Sequence, residues 1–171
     1  MTDYISFQGE PGANSHIAAR AAFPDLEPLP CASFDDAFAA VSEGQARYAM
    51  IPIENSVAGR VADVHTLIPE SGLYIIGERF VPIKHQLLGL KDAALAGLTH
   101  VRSHPQALGQ CRKQLRELGV AAVKTADTAG AAREIAELGD PRIGALASGL
   151  AGEIYGLKVL KADIADAPHN T

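Results

Sequence analysis

The stretch LPCASFDDAFAAVSEGQARYAMIPI, residues 29–53, predicts a strand, a helix and a second strand in succession. The apolar residues in its middle recur at the spacing of one helix face: Phe34, Ala37, Phe38 and Val41. Ser33 stands just before them as an N-cap, Asp36 completes a capping box, and Gly44 follows as a stop signal. A strand, a helix and a strand in this order are typical of a parallel sheet with helices on its faces.

The same alternation continues along the whole chain. Strand-like runs occupy residues 4–7, 29–32, 48–53, 73–81, 86–90, 99–102, 121–124, 143–146 and 158–160. Two further helical stripes cover residues 108–118 and 131–138, and they end at Gly119 and Gly139. The pattern predicts an α/β fold of mostly parallel sheets flanked by helices.

Composition narrows the class of protein. Of the 171 residues, 47% are hydrophobic and 20% are charged, which is typical of a folded soluble domain. The formal net charge is −5 and no block of Lys and Arg occurs, so nucleic acid is not an expected partner. No run approaches the roughly 18 apolar residues of a membrane span, and the N-terminus lacks the features of a signal peptide. We therefore expect a cytoplasmic protein with no membrane partner.

The two cysteines give no sign of a metal site. Cys31 and Cys111 form no CxxC pair, and no histidine stands at metal-ligand spacing from them. Cys111 has apolar neighbours at helical spacing, which favours a buried, reduced thiol.

Polar residues follow several of the predicted strands, where helices are expected to begin. They are Glu54, Asn55 and Ser56; Ser103, His104 and Gln106; Asp127 and Thr128; and Ser148. Ligands of open α/β sheets bind beyond the carboxyl ends of strands, and helix N-termini attract anions. This pattern favours a small organic anion as the ligand. The alternative is that these residues are simply helix caps, with Ser103 and Gln106 forming a capping box.

Two further features bear on a ligand site. The segment GEPGAN, residues 9–14, joins the first predicted strand to a helix, and its glycines allow the backbone to approach a ligand closely. It is not a GxGxxG sequence, so a dinucleotide cofactor is not expected. Gln106 and Gln110 lie at i and i+4 on one helix face, so their amides are predicted to face either a ligand or solvent.

Several motifs occur in the same order as in one known family. They are FQGEPGANS (7–15), PIENSVAGRV (52–61), SHPQALGQC (103–111) and DTAGAA (127–132), followed by the spacing of Tyr155, Leu157, Leu160, Asp166 and Asn170. With these motifs the chain resembles the catalytic domain of the prephenate dehydratases along essentially its whole length. It departs from the family at Asn14, where an aromatic residue is more usual, and this affects the shape expected of the first loop.

The resemblance implies a two-lobed α/β domain similar to periplasmic binding proteins, with the active site in a cleft between the lobes. Lobe 1 is predicted to comprise residues 1–78 and 163–171, and lobe 2 residues 79–162. The family converts prephenate to phenylpyruvate with loss of carbon dioxide and water, in phenylalanine biosynthesis, and it uses no cofactor and no metal. Dimers or tetramers are usual in the family, so we expect a homodimer or a homotetramer.

The resemblance also implies the residues of the site. Those implied to be catalytic are Glu54, Asn55, Ser103 and Gln110, and those implied to bind substrate are Gly12, Ala13, Ser56, Gly59, His85, Gln106, Asp127 and Thr128. Amide side chains suit a dianionic substrate because they donate hydrogen bonds without titrating. Glu54 is expected to accept a hydrogen bond from the ring hydroxyl, to orient Asn55, or to pair with an arginine. His85 is expected either to contact the substrate or to pack in the interior.

The family's Thr-Arg-Phe motif is expected immediately after Thr171. We therefore interpret the chain as part of a longer protein that supplies this threonine hydroxyl and a carboxylate-binding arginine. In longer relatives a regulatory ACT domain binds phenylalanine, so phenylalanine is an expected effector only if such a domain follows. Two alternatives stay open: arogenate as the substrate in place of prephenate, and a non-catalytic anion-binding module of the same fold.

Overall fold

The protein, seen here in a computed structural model, is described over residues 3–171 and forms two compact units. The first unit contains the chain up to Glu10, then Asn14–Pro82 and Thr171. The second unit contains Pro11–Ala13 and Ile83–Asn170. Each unit has its own sheet, so each is described by itself.

The first unit is built on a three-stranded parallel sheet of order β2-β1-β3. Its strands are β1 (Tyr4–Gln8), β2 (Glu27–Cys31) and β3 (Tyr48–Met50), and a separate antiparallel pair is formed by β4 (Glu54–Asn55) and β5 (Gly59–Arg60). Its helices are α1 (Asn14–Ala22), α2 (Phe34–Ser42) and α3 (Ala62–Glu70). The strand–helix–strand order predicted for residues 29–53 is confirmed.

Local signals set the limits of α2 as predicted. The Ser33 hydroxyl accepts a hydrogen bond from the Asp36 N–H at 3.1 Å, and the Asp36 carboxylate accepts one from the Ser33 N–H at 3.1 Å. Gly44, just beyond the helix, has a φ of 74°, which glycine adopts without the steric cost of a side chain. The buried Ser6 hydroxyl of β1 donates to the Ala37 carbonyl at 2.7 Å, which ties the helix to the central strand.

The second unit has a five-stranded mixed sheet of order β10-β6-β9-β7-β8. The strands are β6 (Gln86–Gly89), β7 (His100–Ser103), β8 (Ala121–Lys124), β9 (Ile143–Ala147) and β10 (Lys158–Lys161). Strands β9, β7 and β8 are parallel, whereas β6 is antiparallel to both of its neighbours. The helices are α4 (Pro105–Gln110), α5 (Arg112–Glu117), α6 (Thr128–Leu138) and α7 (Gly149–Ile154).

Both faces of this second sheet are covered. Leu87 packs with Val101 and Cys111 in one apolar cluster, whereas the next residue, Leu88, packs with Ile135 in another. Successive strand residues point to opposite faces, so two adjacent leucines supply both clusters. Gly139 ends α6 in the left-handed region, as its sequence signal predicts.

Helix lengths in the described part of the chain bear on membrane insertion. The longest, α6, has 11 residues, and between residues 3 and 171 no helix combines the length and the apolar character needed to cross a membrane.

Three predictions of secondary structure are wrong. The run 73–81 forms no strand, Ile53 leads into the β4–β5 pair where a helix was expected, and the stripe 108–118 is divided into two helices at Cys111. Residues 163–170 lie with the second unit, since Ile164 is buried in the cluster around Leu87, and the lobe bounds implied by the resemblance stay a prediction.

The run 73–81 is the most exposed apolar part of the described chain. Tyr74 is 90% exposed and Phe80 is 79% exposed, with Ile75 and Ile76 close behind. Within the described residues, no backbone-to-backbone hydrogen bond involves residues 74–82. High β-propensity alone does not form a strand, because each strand needs a neighbour whose backbone groups it can pair with.

Chymotrypsin should therefore cut first after Tyr74 or Phe80. A segment without backbone hydrogen bonds enters a protease active site at little unfolding cost. Mass spectrometry of the earliest fragments measures this, with a Tyr74→Ser/Phe80→Ser double variant as the control that should resist early cleavage. Initial cleavage at the fully buried Phe7 in both proteins would contradict the exposure of this segment.

Candidate active site

The turn between β4 and β5 is organised by Asn55. Its Oδ1 accepts hydrogen bonds from the N–H groups of Val57 at 3.0 Å and Ala58 at 2.9 Å. Gly59 completes the turn with a φ of 82°. The side-chain Nδ2 of Asn55 makes no hydrogen bond to any residue between 3 and 171, so the turn leaves this donor free for a ligand.

Ser56 of the same turn holds Thr171 through two hydrogen bonds. The Ser56 N–H donates to the Thr171 carbonyl at 2.9 Å, and the Thr171 N–H donates to the Ser56 hydroxyl at 3.0 Å. Glu54 lies opposite Arg60 in the strand pair, but its exposed carboxylate forms no ion pair with the described residues. The arginine salt bridge considered for Glu54 is therefore absent from this part of the chain.

A cluster of three polar side chains lies inside the second unit. His85 and Asn170 are 5% and 7% exposed, and both contact the side-chain oxygen of Gln110. The Asn170 Nδ2 donates to Gln110 Oε1 at 3.0 Å, and His85 Nε2 lies 2.6 Å from the same oxygen. Because that oxygen only accepts, the neutral His85 ring that makes this hydrogen bond is the tautomer with its proton on Nε2.

Main-chain hydrogen bonds fix the three members of this cluster. In the segment 164–170, the Ile164 N–H donates a hydrogen bond to the His85 carbonyl at 2.9 Å. The Asp166 N–H donates one to the Gln110 carbonyl at 2.7 Å. The Asn170 carbonyl in turn accepts from the Ile83 N–H at 2.8 Å. We call residues 164–170 the strap, because they tie His85 and Gln110 to each other.

The strap is itself anchored on α5. The Asp166 carboxylate accepts hydrogen bonds from the N–H groups of Lys113 at 2.8 Å and Gln114 at 3.2 Å. These are donors of the first helical turn that have no partner inside the helix. Asp166 is thus an N-cap supplied by a residue far away in sequence.

The loop Pro11–Ala13 packs on α7 of the second unit. The Ser148 hydroxyl donates to the Gly12 carbonyl at 2.6 Å, and the Tyr155 hydroxyl donates to the Pro11 carbonyl at 2.9 Å. A Cβ on Gly12 would lie 2.6 Å from the Cα of Ala151, which no side chain tolerates. The glycine predicted to approach a ligand therefore also permits a close approach of two backbone segments.

The polar residues before α4 and α6 have two different roles: one supports the sheet and the others cap the helices. Ser103 is fully buried on β7, and its hydroxyl donates to the Leu146 carbonyl of the neighbouring strand at 2.7 Å. The predicted capping box at Ser103 is wrong, since His104 is the cap and its Nδ1 accepts from the Gln106 N–H. Asp127 caps α6 as expected, through the Gly130 N–H.

Comparison with known proteins identifies the family. The family model described as prephenate dehydratase matches residues 5–171. The chain belongs to the prephenate dehydratase family. The resemblance predicted from the motifs is thereby confirmed.

Curated relatives agree with this family. The chain is 47% identical, over 98% of its length, to a bifunctional N-acyl-homoserine lactone acylase/prephenate dehydratase of Komagataeibacter europaeus. It is 42% identical, over 97% of its length, to the chloroplastic arogenate dehydratase/prephenate dehydratase 1 of Arabidopsis thaliana. It spans 59% of the first relative and 42% of the second, so both proteins contain segments beyond the matched region.

Solved structures confirm the fold class. The quorum-quenching acylase GqqA matches with a TM-score of 0.91 and 46% identity, over 98% of this chain and 60% of that one. The prephenate dehydratase of Arthrobacter aurescens in complex with L-Phe matches with a TM-score of 0.88 and 30% identity, over 98% of this chain and 58% of that one. The predicted α/β class, with mostly parallel strands flanked by helices, is confirmed.

The structure places the predicted site residues of this prephenate dehydratase domain in separate settings. Glu54, Asn55, Ser56 and Gly59 share one turn of the first unit. In the second unit His85 contacts Gln110, whereas Gly12 and Ala13 lie on α7, Gln106 is exposed on α4, and Asp127 and Thr128 begin α6. Of the catalytic set, Ser103 is the member without solvent exposure, so its position favours support of the sheet.

Three residues that the sequence marks only by their spacing make long-range contacts in the second unit. They are Asn170, Asp166 and Tyr155. Their contacts reach back to Gln110, to the N-terminus of α5 and to Pro11. No local pattern reports such pairings, because each joins residues distant in sequence.

The described residues of these two units form no metal site, and Cys111 is not a reactive thiol. Between residues 3 and 171, no set of three or more His, Cys, Asp or Glu side chains is arranged to hold a metal ion. Burial, with a smaller contribution from the Asp166 carboxylate, raises the pKa of the Cys111 thiol to about 12. A thiol that stays protonated at neutral pH is a poor nucleophile and a poor ligand.

Burial lowers the pKa of His85 below its ordinary value of 6.5, and the hydrogen bond that His85 donates to Gln110 opposes this only in part. The unfolded chain then binds the proton more tightly, so the free energy of unfolding is highest above pH 6.5 and falls as the pH drops toward the folded-state pKa. We expect His85→Gln to remove this portion of the acid destabilisation. Urea unfolding across this range measures it.

The matched control is His100→Gln, because His100 is an exposed histidine of the same unit. If both variants changed the pH dependence equally, the effect would not come from burial of His85.

Proposed function

We propose that this chain forms the catalytic region of an enzyme that converts prephenate to phenylpyruvate, in phenylalanine biosynthesis. The observation that carries the proposal is the family match over residues 5–171, which includes both amides expected to act on the substrate, Asn55 and Gln110. The chain spans about half of the relatives it matches, so the activity is proposed for the natural protein that contains these residues.

The chemistry needs well-placed hydrogen-bond donors. The ring carboxylate of prephenate leaves as carbon dioxide, its bonding electrons form a ring double bond, and the bond to the ring hydroxyl breaks. With one added proton the hydroxide leaves as water, and formation of the aromatic ring drives the step. Hydroxide is a poor leaving group, so a donor that strengthens its contact as charge develops on that oxygen accelerates the reaction selectively.

The described residues offer suitable donors. The Asn55 Nδ2 and the Gln110 Nε2 make no hydrogen bonds to residues 3–171, while their oxygens are held by neighbouring groups. We propose that these amides bind oxygens of the substrate. Further substrate contacts are proposed for Gly12, Ala13, Ser56, Gly59, Gln106, Asp127 and Thr128, and Glu54 is proposed to accept from the ring hydroxyl.

Asn55→Asp tests the donor role of Asn55 without dismantling the turn. The variant keeps an oxygen to accept from Val57 and Ala58 and replaces the Nδ2 donor by a second, charged acceptor. We expect kcat/KM for prephenate to fall by about 10-fold or more. Asn55→Ala loses the turn as well, so an Asp variant with full activity would show that Asn55 only shapes the turn.

The assay that tests the function compares two substrates. The natural protein should form phenylpyruvate from prephenate, and the same preparation should be offered arogenate, from which phenylalanine would form. Relatives at 42% identity or slightly below are named arogenate dehydratases, which makes arogenate the specific rival. Binding of prephenate without turnover of either substrate would favour the non-catalytic module.

The name of one relative suggests a second activity to test. The Komagataeibacter europaeus protein is named as both an acylase and a prephenate dehydratase, and the chain covers 59% of it. We propose testing N-acyl-homoserine lactone hydrolysis on the same preparation. In the described second unit, His85 Nε2 is hydrogen-bonded to Gln110, so it is not available as a general base. The Cys111 thiol is protonated at neutral pH, so it is a poor nucleophile.

The remaining expectations concern the natural protein as a whole. We propose that it is cytoplasmic and that it forms a homodimer or a homotetramer. Light scattering at several concentrations tests the oligomeric state. The Arthrobacter aurescens enzyme was solved in complex with L-Phe. Phenylalanine is proposed as an effector of this protein only if an ACT domain is present, and inhibition of turnover by phenylalanine measures it.

A further inference from the structure

The Gln110 side chain has its oxygen saturated. A carbonyl oxygen has two lone pairs, and here one accepts from the Asn170 Nδ2 and the other from His85 Nε2. The Nε2 group makes no hydrogen bond with the described residues and is not among the buried unpaired atoms. Two N–H donors are therefore the only hydrogen-bonding capacity that the Gln110 side chain has left.

The opposite orientation of the amide is unfavourable. Turning Gln110 about its last bond would place the Nε2 hydrogens against the donors of Asn170 and His85. With Asn170 and His85 as they stand, two buried donors would then lose their acceptor, which is costly in a protein interior. The orientation of the Asn170 amide and the Nε2-protonated form of His85 together keep the Gln110 Nε2 group facing outward, and reversing it requires turning Asn170 as well and moving the His85 proton to Nδ1.

Asn170 holds its orientation although its own side chain is incompletely satisfied. Its Oδ1 is buried and has no hydrogen-bond partner among the described residues, while its carbonyl is bonded to Ile83 N–H and its Nδ2 to Gln110. Native proteins seldom retain a buried acceptor without a partner, and such atoms are concentrated at functional positions. The strap holds Asn170 in place, and the Asn170 Nδ2 in turn fixes the orientation of the Gln110 amide.

We propose that Asn170 and His85 are positioning residues that make Gln110 an obligate hydrogen-bond donor to a negatively charged oxygen of the substrate. The proposal rests on the proposed function for the identity of that substrate. It assigns neither Asn170 nor His85 a contact with the reacting atoms. Their effect is to present two N–H groups, and never the amide oxygen, to an incoming carboxylate or departing hydroxyl.

The variant that tests this is Asn170→Asp, which replaces the amide by a group of the same shape that only accepts. Gln110 should then turn its Nε2 toward the new carboxylate and present its oxygen to the substrate. We expect kcat for prephenate to fall by at least about 10-fold with a smaller change in KM, since the donor acts as charge develops. The charge-matched control is Gln45→Glu on the exposed surface of the first unit.

Nitrogen-15 NMR gives a readout that does not depend on activity. In the wild type, His85 should be protonated on Nε2 and unprotonated on Nδ1, and one Asn170 amide proton should exchange slowly while both Gln110 amide protons exchange quickly. In Asn170→Asp, a Gln110 amide proton should become protected and His85 should shift toward the Nδ1–H form. A wild-type His85 protonated on Nδ1 would overturn the proposal.

A second pair of variants keeps the proposal testable if Asn170→Asp fails to fold. His85→Gln places an N–H donor near the position of the histidine Nε2 and should keep most of the turnover, whereas His85→Leu should lose about 10-fold or more. Equal kcat for these two variants would overturn the positioning role. If the wild type binds prephenate but forms no phenylpyruvate, the proposed function fails, while the NMR result still decides the orientation of Gln110.

Discussion

Replacing Gln110 by glutamate should lower kcat/KM for prephenate by about 100-fold or more while leaving the domain folded. The side chain keeps its length and still offers an oxygen that accepts from Asn170 Nδ2 and His85 Nε2. The Nε2 donor, however, becomes a second carboxylate oxygen that carries negative charge. A dianionic substrate then meets repulsion at the position where it should meet two N–H groups.

The choice of glutamate separates catalysis from folding. Alanine at this position would leave two buried donors without an acceptor, which costs about 1–3 kcal/mol for each such group. Part of any lost activity would then reflect a damaged second unit. The glutamate variant retains both hydrogen bonds, so its thermal midpoint should stay near that of the wild type.

Steady-state kinetics with prephenate and a thermal melt of the same sample measure the two quantities. Gln45→Glu supplies the control, since Gln45 is exposed in the first unit and is remote from Gln110 in sequence. Unchanged kcat/KM in Gln110→Glu would remove Gln110 from the site. An equally large loss in Gln45→Glu would attribute the effect to net charge alone.

The parts of the fold that the sequence predicts are those governed by local contacts. The limits of α2 follow from Ser33, Asp36 and Gly44, all within a few residues of the helix ends. The cap of α6 by Asp127 is local in the same way. Such signals act through backbone groups three or four residues away, so a single sequence is enough to identify them.

The wrong predictions concern features that depend on contacts between residues distant in sequence. Residues 73–81 have the composition of a strand, but pairing depends on a neighbour that no local pattern specifies. Ser103 and His104 are both able to cap α4, and the choice between them was made by the Leu146 carbonyl, which accepts the Ser103 hydroxyl from a different strand. Tertiary contacts thus decided both cases.

The candidate site also has parts that follow from local sequence and parts that depend on tertiary contacts. Gln110 is recognisable in the sequence from its i, i+4 spacing with Gln106 on one helix face, and Asn55 from its place at the end of a strand. The partners that orient Gln110 were not predicted, since Asn170 lies 60 residues away in the chain. Spacing along a sequence identifies a side chain able to donate, whereas its orientation depends on the buried groups around it.

A second large effect is expected on stability, from Gly12→Ala. Gly12 has a φ of 96°, in the region where a side chain is strained, and an added Cβ would lie 2.6 Å from the Ala151 Cα and 2.7 Å from its Cβ. Strain of this kind costs about 1–3 kcal/mol, and overpacking against a fixed backbone costs a similar amount. We expect the free energy of unfolding in urea to fall by about 2–5 kcal/mol.

The matched control for Gly12→Ala is Gly109→Ala on α4. A Cβ there meets nothing within 4 Å, so this change should be neutral or should stabilise by up to about 1 kcal/mol. A Gly12→Ala/Ala151→Gly double variant should recover only part of the loss, because it removes the Ala151 Cβ and leaves its Cα in place. Full recovery would show that side-chain crowding alone requires glycine, and no loss at all would mean that the Pro11–Ala13 loop does not rest on α7. We expect the intermediate result because the strained φ of residue 12 and the contact with the Ala151 Cα both remain in the double variant, with the loop still bound by the Ser148 and Tyr155 hydroxyls.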